Sequence, residues 1–215
     1  MRSLRREYLD QLLNKYKKYI KKNVLDIGGK KIEKKGLFFL EPSSINYIKY
    51  LNPDKKTNPD YLCSAEKIPI KNNTFDTVIL TEVLEYVDNV EKTMSEIVRI
   101  TKKNSYIIVS VPFLVPVHGD FHLDKRRYTK ENLRKIFLQN NLKITHFEYM
   151  GSVISVIFDL ISITFGYSAK KKNFFLLRIL NLTRFIFKFL DSFFSYNAKF
   201  ITTGYFFILK NSKKK

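Results

Sequence analysis

Two segments of the chain end apolar runs in groups that can hold a ligand: Val24-Leu25-Asp26-Ile27-Gly28-Gly29, and Phe75-Asp76-Thr77-Val78-Ile79-Leu80-Thr81-Glu82-Val83-Leu84-Glu85-Tyr86-Val87. A glycine turn lets the backbone come close to a ligand, and a carboxylate beside it can take a ribose diol or an ammonium group. In an open α/β sheet, ligands bind in the crevice beyond the carboxyl ends of the strands. Two strands that finish in glycine and acidic residues therefore point to one shared site. The glycine turn alone is more often an ordinary tight turn, and its agreement with the second segment carries the reading.

These groups need elements to position them. Leu4, Tyr8, Leu9, Leu12, Leu13, Tyr16 and Ile20 recur at helical spacing among basic residues, which predicts an amphipathic leading helix within 1–22. Seven segments read as strands: Val24–Ile27, Tyr47–Leu51, Tyr61–Cys63, Phe75–Thr81, Tyr106–Val111, Lys143–Tyr149 and Phe200–Leu209. Helical periods lie between them at Val90–Ile100 and Thr129–Gln139, and in two apolar stretches from Ser152 to Phe194. Strands alternating with helices predict a mainly parallel sheet covered on both faces. No Gly-, Ser- or Pro-rich linker divides the 215 residues, so one domain over 1–215 is expected, with a helical insertion at 151–199 before the last strand.

Charge and cysteine content narrow the setting. The 39 Lys and Arg against 20 Asp and Glu give a formal net charge of +19, which attracts phosphate-bearing or membrane-surface partners without naming either. Cys63 is the single cysteine, so an intrachain disulfide and a thiolate zinc cage are both excluded and no metal site is expected. The start, Met1-Arg2-Ser3-Leu4-Arg5-Arg6-Glu7, has no apolar run behind its basic residues, so a cytoplasmic protein is expected, peripheral at the inner face of the membrane if it meets lipid.

Further patterns come in order: Tyr50-Leu51-Asn52-Pro53-Asp54; Ser64-Ala65-Glu66-Lys67-Ile68-Pro69 leading into Asn73-Thr74-Phe75-Asp76; and Val111-Pro112-Phe113-Leu114-Val115-Pro116-Val117-His118-Gly119-Asp120, then His122 and Arg127-Tyr128-Thr129. With them in place, residues 23 to 150 resemble the class I S-adenosylmethionine-dependent methyltransferases, type 11-like. Within these the chain looks most like the compact subgroup that accompanies polysaccharide or lipid-glycan biosynthesis. The resemblance implies a Rossmann-like three-layer sandwich with a seven-stranded, mainly parallel sheet, a last antiparallel strand and an apolar C-terminal helical cover. It implies S-adenosylmethionine as cofactor, with Asp26, Gly28 and Gly29 at the methionine end, Glu82 close to that end, Asp54 on the ribose diol, and Ser64, Ala65 and Glu66 beside adenine. Glu41, which ends Leu37-Phe38-Phe39-Leu40, competes with Asp54 for the ribose. The chain departs from the family in three places. Lys30-Lys31-Ile32-Glu33 stands where a third glycine is usual, Ser64 where an aspartate is common, and Tyr86 where a histidine is common.

Methyl transfer from a sulfonium needs positioning and, for a hydroxyl acceptor, a base. His118 and His122 fall in the loop after Tyr106–Val111, which in a doubly wound sheet opens onto the crevice. They are the base candidates, with Asp124 as orienting partner. Arg127 and Tyr128 come next, and a guanidinium there could hold a phosphate or carboxylate of the acceptor or pair with the loop acids. The expected activity is methylation of a small or lipid-linked glycan-type acceptor, at oxygen. RNA methylation is the second reading, disfavoured because no RNA-binding appendage or Asn-Pro-Pro-Tyr-like motif is present, and a non-catalytic binding module is the third. From Phe174 to Phe194 polar residues recur every three or four positions, too many for a membrane span. A helix packed on the sheet is expected there, with an interfacial helix on an anionic membrane as the alternative.

Overall fold

The computed structural model describes residues 3–32, 36–40, 42–117, 123–166 and 174–212. Ser3 opens helix α1 (Leu4–Lys15), its hydroxyl accepting the Arg6 amide at 3.1 Å and so satisfying one of the amides a helix start leaves unpaired. A 3-10 turn at Lys17–Tyr19 then carries the chain into β1 (Lys22–Ile27), so the predicted leading helix is shorter than its pattern. Tyr16 and Ile20 reach the core from outside the helix. The remaining strands are β2 (Ile45–Leu51), β3 (Phe75–Thr81), β4 (Thr101–Pro112), β5 (Leu142–Tyr149) and β6 (Gly204–Asn211). The remaining helices are α2 (Val90–Ile100), α3 (Lys130–Gln139), α4 (Val153–Gly166) and α5 (Phe174–Phe193).

The sheet order is β2-β1-β3-β4-β6-β5. The first four strands pair in parallel and β6 runs antiparallel to both β4 and β5, the mixed Rossmann-like form expected. Among the described residues the sheet has six strands, not seven, because Tyr61–Cys63 forms only the parallel bridge between Leu51 and Tyr61. Both the Asp60 and the Tyr61 amides turn to the Tyr50 carbonyl, so the ladder stops at this one bridge although Tyr61 and Cys63 pack partly buried against the core. The last strand starts at Gly204, since a 3-10 turn at Ser195–Lys199 occupies the approach.

Side chains alternate across this sheet with the period of two that strands impose. Leu25, Val78, Leu80, Ile107, Val109, Phe207 and Leu209 face α2 and α3, packing on Met94, Ile97, Leu133 and Phe137. Val24, Ile79, Ile108, Phe206 and Ile208 face the other way, onto Leu9, Leu12 and Leu13 of α1. Among the described residues no α-helix lies between β1 and β2, and α1 takes the cover that a crossover helix would supply. In register, Leu51, Ile27, Leu80 and Val109 lie side by side across the four parallel strands. Their carboxyl ends therefore open at one level, and the loops beyond them meet in one crevice.

Candidate active site

The glycine turn leaves β1 with Gly28 at φ +79°, its amide donating to the Leu51 carbonyl at 2.7 Å. A Cβ added there would lie 2.5 Å from Val83 Cγ2, and one on Gly29 would lie 2.3 Å from the Asp26 carboxyl group. Both positions need glycine for close approach, and Gly28 needs it also for its left-handed backbone. The buried Asn52, just past β2, donates from Nδ2 to the Gly28 carbonyl at 3.1 Å and the Gly29 carbonyl at 3.3 Å, and accepts the Asp54 amide at 2.9 Å. An amide side chain from the neighbouring strand thus fixes the turn that lacks its usual third glycine. Lys31, in the stretch that replaces it, reaches Asp60 at 2.9 Å. Burial pushes the Asp60 carboxyl up, but Lys31, the Tyr50 amide and Lys49 outweigh it, so the group sits below the usual carboxylate range.

Asp26 lies next to last in β1, against Gly29. Asp54 is exposed beyond the end of β2 and caps the 3-10 turn Lys55–Thr57, accepting the Lys56 amide at 2.9 Å; Glu41 lies outside the described residues. Ser64 accepts the Glu66 amide at 3.2 Å, and Ala65 is buried. Glu66 Oε1 accepts the Asp88 and Asn89 amides at 2.7 and 3.1 Å, so this carboxylate braces the entry to α2.

Beyond β3 the acids gather. Glu82 holds φ +57°, an uncommon conformation for a residue with a side chain, and its amide donates to the Ser110 carbonyl at 2.9 Å. Its Oε1 accepts the Ser110 hydroxyl at 2.9 Å, and its Oε2 pairs with the Arg5 guanidinium, which α1 delivers from the far end of the sequence. Three residues on, Glu85 is fully buried, and among the described residues neither of its carboxylate oxygens has a hydrogen-bond partner. Burial raises its pKa to about 7, against the pull of its own amide, Arg5 and Arg127, while Asp124 pushes it further up. Burial, with Glu85 and Asp124 nearby, lifts the neighbouring Tyr86 hydroxyl to about 12.

His118 and His122 lie outside the described residues. Asp124, expected to orient a histidine, is buried and takes both terminal nitrogens of Arg127, Nη2 to Oδ2 at 2.8 Å. The segment around them is laced onto the loop after β3. The Lys125 amide donates to the Glu85 carbonyl at 3.0 Å, Arg126 donates to the Val87 and Asp88 carbonyls, and the Tyr128 hydroxyl donates to the Leu84 carbonyl at 3.2 Å. Tyr128 is buried by this arrangement. The structure thus brings Asp26, Gly28, Gly29, Glu82, Asp124 and Arg127 to the strand ends, and Arg5, Asn52 and Glu85 join them. Nothing in the spacing of the chain pairs Arg5 with Glu82. Asn52 carried a readable signal, being the polar residue directly after an apolar strand. A cleft of about 420 Å³ lies apart, lined by Asp88, Asn89, Arg126, Tyr128, Asn132 and Lys135, and of the predicted site residues only Tyr128 borders it.

Residues 40–109, from the end of the β1–β2 connection into β4, match the family described as a methyltransferase domain. An S-adenosylmethionine-dependent methyltransferase from Archaeoglobus fulgidus superposes with a TM-score of 0.57 at 15% identity, over 95% of this chain and 94% of that one. The domain match covers part of the chain, and the likeness to that structure shows a shared fold. The StiE O-MT structure is similar at a TM-score of 0.59 and 14% identity, over 98% of this chain and 75% of that one. The [4+2]-cyclase SpnF is similar as well, with a TM-score of 0.56 and 11% identity over 94% and 80%, so this architecture also carries other chemistry. No curated protein matches the sequence of this chain.

The Archaeoglobus fulgidus protein depends on S-adenosylmethionine, and the strand-end residues of this chain suit such a group. The glycine turn packs its backbone against Val83 and Asp26, and carboxylates stand at the ends of β1 and β3, where an amino-acid ammonium could be held.

Proposed function

We propose that this protein is an S-adenosylmethionine-dependent methyltransferase that methylates an oxygen of a small or lipid-linked, glycan-type acceptor. The observation that supports it best is the unpartnered Glu85 carboxylate, buried beside the crevice between Arg5 and the Asp124–Arg127 pair. When bound, S-adenosylmethionine would supply an electrophilic methyl group to the acceptor oxygen, its sulfur leaving as the thioether of S-adenosylhomocysteine. Asp26, Gly28, Gly29 and Glu82 would hold its methionine end, Asp54 its ribose, and the Ser64–Glu66 segment its adenine. The chain's own residues then position the acceptor and take its proton as the oxygen–carbon bond forms.

A carboxylate near pKa 7 is half-ionised at neutral pH and accepts a proton without the cost of a strong base. Glu85 is therefore the first proton acceptor of this reading, and His118 and His122 are the alternatives that chain position supplies. Arg127, already fixed by Asp124, offers the charge that would orient an anionic acceptor.

Calorimetry tests the cofactor first: absence of heat with S-adenosylmethionine at millimolar concentration removes the enzyme reading. Transfer of a labelled methyl group is then assayed against hydroxyl-, amine- and carboxyl-bearing sugars and lipid-linked sugars. Product on an amine alone would refute the oxygen assignment. Full turnover in Glu85→Gln would move the base to the histidines, and a His118→Ala/His122→Ala double variant tests that.

A further inference from the structure

Helix α5 is amphipathic in the opposite sense to a helix that merely covers a core. Three of its four charged side chains, Arg184, Lys188 and Asp191, turn inward. Arg184 and Lys188 both pair with Glu7 of α1, the latter at 3.2 Å. The buried Asp191 accepts the Tyr8 hydroxyl at 2.7 Å, the Ser155 amide at 2.8 Å and the Ser152 hydroxyl at 2.6 Å, which latches α5 to α1 and to the start of α4. Of its described apolar side chains, Leu180 and Phe187 join that inner contact, where they meet Leu4 and Phe158.

The rest point to solvent. Phe175 is 75% exposed, Leu182 67%, Phe185 71%, Phe189 62% and Phe193 68%. Their spacing of three, four or seven places them along one side of the helix, and Tyr196 and Phe200 extend the exposed row beyond its end. Soluble monomers rarely show a contiguous apolar surface of this kind without a partner.

Charge selects the partner. Arg178 is exposed near the start of the stripe, and at its far end Lys199 lies 3.8 Å from the Tyr196 ring centre and 4.8 Å from that of Phe200. Lys170-Lys171-Lys172 precede the helix in the sequence, and the whole chain carries +19. Two copies meeting face to face would set these like charges against each other, whereas anionic lipid headgroups complement them. Long cationic side chains beside aromatic rings, on the rim of an apolar face, are suited to the headgroup level. Among the described residues no helix is long and apolar enough to cross a membrane, so α5 would lie in the plane of the surface.

We propose that the outer face of α5 docks the protein onto an anionic lipid membrane. The inference does not depend on catalysis, and its test reads binding alone. The full chain is floated with vesicles of phosphatidylglycerol in phosphatidylcholine, and with phosphatidylcholine alone. The expected result is flotation with the anionic vesicles, weakened about tenfold or more without the anionic lipid or at high salt. Phe185→Ser/Phe189→Ser/Phe193→Ser, at exposed positions that leave the melting temperature unchanged, should reduce binding by at least about tenfold. Arg178→Glu/Lys199→Glu should lose the preference for anionic lipid while keeping the fold. Wild-type protein that stays at the bottom of the gradient, or a triple variant that floats equally well, overturns the proposal. So does a wild-type dimer in sedimentation that the triple variant abolishes while no vesicle binding is seen, which would assign the face to a second copy.

Discussion

Replacing Glu85 by glutamine separates the cost of the buried acid from its use. The carboxyl rises from its ordinary 4.5 to about 7 in the folded protein. That difference corresponds to about 3 kcal/mol, the free energy of holding an ionised, unpartnered carboxylate out of water. Below pH 4.5 the group is protonated in folded and unfolded chains alike and costs nothing. Between 4.5 and about 7 the unfolded chain releases its proton while the folded chain keeps it, so stability falls as pH rises, and above about 7 the full penalty is present. Asp159, raised by burial to about 6 although it accepts the Leu4 and Arg5 amides, contributes a fall of the same sign. It stays in both proteins, so the difference between them isolates Glu85. Urea midpoints of Glu85→Gln and wild type, measured from pH 4 to pH 8, should diverge with rising pH until the variant leads by about 3 kcal/mol, an increase of about 1 M or more in midpoint. An unsatisfied glutamine amide adds an offset that does not change with pH. Parallel curves would refute the assignment of a raised, unpartnered carboxyl. Divergent curves with undiminished methyl transfer would keep the buried acid and refute its role as proton acceptor.

Arg5→Met should leave Glu82 and Glu85 without their buried counter-charge, costing about 3 to 5 kcal/mol in urea unfolding and moving any Glu85-dependent pH–rate limb upward; an unshifted limb would separate Arg5 from the site. Gly28→Ala places a Cβ 2.5 Å from Val83 Cγ2 at φ +79°, so the melting temperature and S-adenosylmethionine affinity should both fall, with a stability loss of about 1 to 3 kcal/mol. Asp54→Ala should weaken S-adenosylmethionine binding in calorimetry far more than Glu41→Ala, by about tenfold or more if Asp54 holds the ribose diol; equal effects would remove that role.

The alternation of strands and helices and the strand-end acids were legible in the chain because hydrophobic period and turn chemistry are local, whereas the antiparallel final strand was implied by the family resemblance alone. Tyr61–Cys63 misled because its composition and its half-buried alternation suit a strand, while the ladder ends where the Asp60 and Tyr61 amides share the Tyr50 carbonyl, a backbone arrangement that composition does not record. The glycine turn was found from sequence, and its stability without a third glycine was not, since Asn52 closes it through bonds from the next strand. Likewise Glu82 was visible as an acid after a strand, whereas its partner Arg5 comes from the first turn of α1. The sequence alone determined that α5 would be amphipathic; which side faced the protein was decided by Glu7, Tyr8, Ser152 and Ser155, whose charge and hydrogen bonds drew the polar side inward. Periodicity records that two faces differ, but orientation depends on which groups lie opposite, and those are assembled only when distant segments of the chain come together.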